Sequence, residues 1–168
     1  LNSCFLMEES MRKFEKISFY QFKKDVIDDL DMYNAYKLPI RKTKNSAGYD
    51  FFLIDNIVLK PNEVLKIPTG LKVIMNEDEM LMIIVRSGVG FKYNVRLTNQ
   101  VGIIESDYYN NISNEGHMWI SVQNHSDKEL KFEKGDSLCQ GIFVKFLTVD
   151  DEKVIDNKRL GGLGSTGK

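Results

Sequence analysis

Two carboxylates one residue apart, Glu105 and Asp107, close an apolar run in the stretch GIIESDYYNN, residues 102–111. On a continuous strand both would point to the same face, because strand side chains alternate with a period of two. Two tyrosines and two asparagines follow, so the chain must turn there. Taken alone, the stretch reads first as an ordinary polar hairpin. Its chemical reading is a carboxylate base that activates water.

Other groups could serve such a reaction. RSGVG, residues 86–90, follows the apolar run MLMIIV and places an Arg, a Ser and two glycines at a strand end, a plausible anion site or a simple glycine-bearing turn. The chain finishes on GLGSTGK, residues 162–168, one residue short of a P-loop pattern. A P-loop needs a helix after its lysine, and none follows Lys168, so that reading fails. What survives is a glycine-rich segment whose backbone N–H groups and hydroxyls (Ser165, Thr166) can approach an anion, with Arg159 suited to paired phosphate contacts. His117 and His125 stand eight apart without ligand spacing, so zinc is not expected. No G-x-S-x-G occurs to support a serine nucleophile.

The elements that must position these groups are mostly short strands. Ser18, three before Gln21, starts a capping-box spacing, and Phe19, Phe22, Val26, Ile27 and Leu30 recur at helical intervals, which predicts one helix over 18–31. The basic loop 37–46 contains Pro39 and predicts no regular element. Strands are expected at 51–59, 63–67, 71–75, 80–85, 101–105, 117–123, 129–133 and 138–147, separated by turn signals, which is the signature of an all-β sandwich or barrel. The 168 residues fit one domain, divided here into a helical extension (1–36), a β core (37–148) and a C-terminal arm (149–168). A hydrophobic content of 42% with 28% charged residues is that of a globular chain, and a net charge of −1 argues against general nucleic-acid binding. No apolar run is long enough to span a membrane, and the opening residues lack a secretion signal. Two cysteines, Cys4 and Cys139, suggest neither a disulfide framework nor a zinc quartet, and fit a reducing cytoplasm.

Five stretches in order resemble one family, the trimeric-type dUTPases (deoxyuridine triphosphate nucleotidohydrolases). AGYDF (47–51), RSGVG (86–90), LTNQVGIIESDYYNN (97–111), GDSLCQGIF (135–143) and RLGGLGSTGK (159–168) are similar to its five motifs, and the polar insert YYNNISNEGH resembles a version common in Firmicutes and their phages. The resemblance implies a β-clip, or distorted jelly-roll, subunit in a homotrimer, with each active site between subunits and closed by an arm from another chain. It implies hydrolysis of dUTP to dUMP and pyrophosphate, with Mg2+ bound mainly by the triphosphate, keeping uracil out of DNA and supplying dUMP for dTMP synthesis.

Carried over by motif position, Glu105 is the base that orients and deprotonates water. Tyr108 packs on deoxyribose and leaves no room for a 2′-hydroxyl. Asn99 and the backbone of Gly102, Ile103 and Ile104 read the uracil edge, with Trp119 on the returning strand and Leu163 over the base. Arg86, Ser87, Gly88 and Gln140 contact phosphates, as do Arg159, Gly164, Ser165 and Thr166 of the arm. Asp50 faces the metal through water. This chain departs from the family at Glu105, where Asp is usual, at Leu163, where Phe is frequent, and at Ser137, where Arg is frequent. A Glu is also an ionised acceptor at neutral pH, but its extra methylene displaces the carboxylate by about 1 Å. A dCTP deaminase of the same fold, or a weakly catalytic regulatory protein gated by nucleotide, are the alternatives.

Overall fold

The computed structural model describes residues 11–162. Leu163, Gly164, Ser165 and Thr166 lie outside the described residues. The described residues form eleven short strands, three short α-helices and one 3-10 turn, all strand pairs among them being antiparallel. This agrees with the all-β expectation.

The strand at the centre of the sheet that positions the site is β6 (Glu79–Val85). It pairs on one side with β11 (Cys139–Lys145) and on the other with β8 (Gly102–Glu105), and β2 (Tyr49–Phe51) completes a sheet in the order β2-β11-β6-β8. Its inner side chains, Leu81 and Ile83, are fully buried. The alternate positions Met80, Met82 and Ile84 are apolar too, yet only half-buried. Directly paired residues share a face, so Ile142, Met82 and Ile103 form an apolar row across the outside of this sheet. A second sheet holds β4 (Val64–Pro68), β9 (Trp119–Asn124) and β7 (Val95–Leu97) in the order β4-β9-β7. Two-stranded sheets join β1 (Lys13–Lys16) to β5 (Leu71–Ile74), and β10 (Leu130–Phe132) to β3 (Ile57–Leu59).

The structure corrects several boundaries. The single helix expected over 18–31 is two, α1 (Phe19–Asp25) and α2 (Leu30–Ala35). Val26 and Ile27 are β-branched and stiff in a helix, and Asp29 instead caps the next one, its carboxylate accepting from Met32 N at 2.8 Å. Ser18 does cap α1, accepting from Gln21 N at 3.1 Å. The reciprocal half of a capping box is missing, because Gln21 Nε2 donates to Asp25 instead. The run 51–59 breaks into β2 and β3 at the Asp55–Asn56 turn, where Asp55 Oδ1 accepts from Asn56 N at 2.7 Å. The glycine-bearing stretch after Arg86 is not a loop but a third helix, α3 (Ser87–Tyr93), ended by Asn94 in a left-handed conformation (φ 52°). Val89, buried against the core, offsets two glycines that disfavour helix. No helix among the described residues is long and apolar enough to cross a membrane.

His117 is fully buried and holds the helical extension to the sheets. Its Nε2 accepts from Gly70 N at 2.9 Å, which leaves the proton on Nδ1, 2.6 Å from Asp25 Oδ2. Burial holds its pKa below the ordinary value, with Asp25 pulling the other way. The unfolded chain therefore takes this proton before the folded one. Stability is intact above about pH 6.5 and erodes as the pH falls below it. The urea midpoint should fall between pH 7.5 and 5.5, and fall less in His117→Gln; an equal fall in both would remove His117 as the cause. Truncation to His117→Ala should cost about 3 kcal/mol at neutral pH by loss of two buried hydrogen bonds and the ring's packing.

Candidate active site

At its last residue, β8 delivers Glu105 to the rim of a cleft of about 500 Å³. The next three residues, Ser106–Tyr108, wind into a 3-10 turn. Asp107 is thus on the turn and not on the strand, but its carboxylate still meets the same partner as Glu105. Arg159 donates to Glu105 Oε2 at 3.0 Å and to Asp107 Oδ1 at 2.8 Å. The cleft is lined by Ile103, Ile104, Glu105, Tyr108, Trp119 and Arg159, with Gly162 at its edge. Sequence reasoning therefore placed six of its side chains, and missed Lys66, Asn114 and Met118, which also line it.

Tyr108 is held from both sides. Its hydroxyl donates to His117 O at 2.8 Å and accepts from Asn114 Nδ2 at 2.8 Å. Burial raises its pKa, so the phenol stays protonated. Trp119 stands across the cleft, its ring 5.1 Å from that of His117. It does not lie on a strand returning along β8, since β9 pairs with β4 and β7 in the other sheet. The chain between β7 and β8 passes from one sheet to the other, with Asn99 in the turn. Asn99 is exposed and does not line the cleft, and Gly102 begins β8 at the end away from Glu105.

The other predicted residues gather at a second place. Asp50 on β2 is buried, and Arg86 Nε sits 3.1 Å from its Oδ1. Lys42, from the basic loop, stands 3.4 Å from Oδ2 without hydrogen-bonding geometry, so this buried oxygen has no donor. Arg86 also donates to Ser137 O at 3.3 Å, and Ser137 Oγ to Cys139 O at 3.0 Å. Gln140, paired with Asp50 on the neighbouring strand, lies over Gly48: a Cβ there would stand 2.0 Å from Gln140 Oε1. Ser87 and Gly88 open α3 beside Arg86, and a Cβ on Gly88 would meet nothing within 4 Å, so the backbone there is open to an approaching group. A cavity of about 290 Å³ runs past Arg86, Gly88, Lys92 and Ser137.

Register fixes how far apart the two places are. Glu105 pairs with Met80 and Gln140 with Ile84, so they lie four residues apart along β6 and two strands apart across it. That is roughly 16 Å at the usual strand rise and spacing. Both side chains belong to the outer face of the sheet. Among the described residues no three His, Cys, Asp or Glu side chains gather as a metal cage. The donor set fits instead an ion carried by a ligand's phosphates, with Asp50 Oδ2, which accepts no hydrogen bond, able to accept from one of the ion's waters.

The dUTPase family model matches residues 34–167. The deoxyuridine 5′-triphosphate nucleotidohydrolase of Lactococcus lactis is 44% identical over 131 residues, covering 77% of this chain and 87% of its own. That of Actinobacillus succinogenes is 35% identical over 140 residues, covering 79% and 89%. Among solved structures, the dUTPase from Streptococcus mutans superposes with a TM-score of 0.66 at 33% identity, over 82% of this chain and 98% of its own. The dUTPase from phage phi11 of S. aureus shares the fold, with a TM-score of 0.64 at 20% identity over 88% and 97%. On the extent of the family match and these identities, the chain belongs to the dUTPase family.

Proposed function

We propose that this chain hydrolyses dUTP to dUMP and pyrophosphate, in active sites shared between the subunits of a homotrimer. The observation that carries this reading is the separation of two half-sites on one outer sheet face. A base must come within one water of the phosphorus it serves, and phosphate donors within about 3 Å of the phosphate oxygens. Along the backbone Glu105 and Gln140 stand roughly 16 Å apart, at opposite ends of the face, with apolar side chains and not a polar cleft between them. The apolar row Ile142–Met82–Ile103 lies between them and is left half-covered in the single chain. Covering that face with a second subunit buries the row and can bring one chain's Glu105 to the other's Arg86 and Gln140.

The chemistry then follows from the groups. Uracil and deoxyribose occupy the cleft of Tyr108 and Trp119, with Asn99 and the backbone of Gly102, Ile103 and Ile104 reading the base edge. Tyr108 closes on the sugar where a 2′-hydroxyl would stand. Glu105 accepts the proton of the attacking water, and Arg86, Ser87, Gly88 and Gln140 hold the phosphate oxygens as charge develops on them. Asp50 would hold a Mg2+ ion carried by the triphosphate, through water, and that ion would supply neutralisation of the phosphate charge. Arg159 now occupies Glu105 and Asp107. It follows a segment, 146–158, without strand or helix and exposed, so it can exchange the carboxylates for a phosphate of the same or a neighbouring subunit. With Leu163, Gly164, Ser165 and Thr166 it would close the arm over the nucleotide. The names of the matched relatives support dUTP as substrate and give no support to deamination.

Products resolved by chromatography after incubation with Mg2+ and dUTP, dCTP, dTTP or UTP test the reading. Expected are dUMP and pyrophosphate from dUTP; deoxyuridine nucleotides from dCTP, or no turnover of dUTP, would overturn it. Glu105→Gln should lower kcat by about a thousandfold or more while a non-hydrolysable dUTP analogue still binds within a few-fold of wild type. Full residual activity would remove Glu105 from its role. Chelation of divalent ions with EDTA should raise KM for dUTP and lower kcat, and readdition of Mg2+ should restore both.

A further inference from the structure

The helical extension lies almost wholly outside the family match, which begins at residue 34. Arg12 pairs with Glu79 on β6, but Glu15, Ser18 and Asp25 tie the extension to the cleft by charged hydrogen bonds that run to one place. That place is the polar insert 109–117, which folds back on Tyr108. Asn111, buried, donates to Tyr108 O at 2.8 Å, and its Oδ1 gathers Ser113 N, Ser113 Oγ and Asn114 N. Asn114 is thereby oriented to donate to the Tyr108 hydroxyl at 2.8 Å. Gly116 takes a left-handed φ of 83°, and a Cβ there would lie 2.6 Å from Tyr108 O, so the insert presses on the tyrosine with no room to spare.

The extension grips the far side of this insert. Glu115 accepts from Ser18 N at 2.9 Å and from Ser18 Oγ, the residue that caps α1. Tyr109 donates to Glu15 Oε2 on β1 at 2.7 Å. Asp25, the last residue of α1, fixes the His117 ring from Nδ1, and the carbonyl of His117 is the acceptor for the Tyr108 hydroxyl. The ring of His117 also backs that of Trp119. Both hydrogen bonds of the Tyr108 hydroxyl thus end on the insert, and the insert is anchored by residues 15, 18 and 25.

We infer that Asp25 is a positioning residue for sugar discrimination: through His117 it fixes the Tyr108 hydroxyl, and with it the ring that shuts out a 2′-hydroxyl. The inference rests on the proposed contact of Tyr108 with deoxyribose. A phenol clamped by two hydrogen bonds at 2.8 Å cannot retreat to admit an extra oxygen. One freed of its anchor can, since rejecting an added hydroxyl depends on a rigid wall. Asp25 itself does not line the cleft, so any effect on selectivity must pass through the chain of contacts.

The test is equilibrium binding of α,β-imido dUTP and α,β-imido UTP with Mg2+ to the full chain. Wild type, Asp25→Ala, Asp25→Asn and Asn114→Ala are compared, and hydrolysis of dUTP by wild type is measured alongside. Asp25→Ala should reduce the dUTP-over-UTP ratio of Kd values roughly tenfold, mainly by tighter UTP binding, and Asp25→Asn, which keeps an acceptor for His117 Nδ1, should restore it. Asn114→Ala, which removes the donor to the Tyr108 hydroxyl together with the acceptor for Asn111 Nδ2 and Gly116 N, should reduce the ratio likewise and decides whether the clamp on the hydroxyl matters if Asp25→Ala does not fold. A merely structural role would weaken both nucleotides in parallel; an unchanged ratio in a folded variant overturns the inference. Absence of dUTP hydrolysis by wild type would instead strike the proposed function, because the binding ratio can be read without turnover.

Discussion

The pairing of β6 with β8 on one side and β11 on the other constrains everything else about this molecule. It sets Glu105 and Gln140 on one face of one sheet, at opposite ends of an apolar row. A one-residue slip in either pairing would turn one of the two side chains into the core and Ile103 or Ile142 with it. The register is therefore defended by burial of Leu81, Ile83 and Cys139 on the inner face, where the Cys139 thiol is buried deeply enough for its pKa to rise to about 12. Stability and function lean on the same strands, but on opposite faces of them.

Much of this was legible in the sequence, for reasons that differ by element. The continuous apolar run MLMIIV and the turn residues around it give β6, and Ser18 gives the start of α1. The end of α1 was not legible, because periodic apolar residues run on through Val26, Ile27 and Leu30 while the local preference of Asp29 for a cap breaks the helix. The segment at Ser87 reads as a loop because its glycines oppose helix, and only the packing of Val89 decides otherwise. Three-residue strands such as β7 are too short to show alternation. Resemblance of five motifs supplied the candidate residues, but spacing along the chain could not say that they fall into two groups. That separation is a property of register, which long-range pairing alone fixes.

Missed residues share a cause. Asn114 and Asn111 act through hydrogen bonds to a tyrosine three to six residues away, inside a polar insert whose composition suggests only a loop. His117 looked chemically idle, yet its ring nitrogens contact Gly70 N and Asp25, and its carbonyl and ring join the helical extension to the cleft. Lys42 sits in a basic loop with no pattern to mark it, and finds Asp50 only because Ile40 bridges to that strand. Glu105, the proposed base, is not left free in the single chain, because Arg159 holds its carboxylate.

Shared sites are the central claim, and subunit complementation tests them most directly. Glu105→Gln and Arg86→Ala chains, each inactive alone, would be unfolded together, reassembled at equal concentration and assayed on dUTP with Mg2+. If one chain supplies the base and another the phosphate donors, random assembly makes about a quarter of the sites intact, and about a quarter of wild-type activity should return. If each site lies within a single chain, every site carries one lesion. No activity beyond that of the separate variants would return, and the shared-site account would be contradicted.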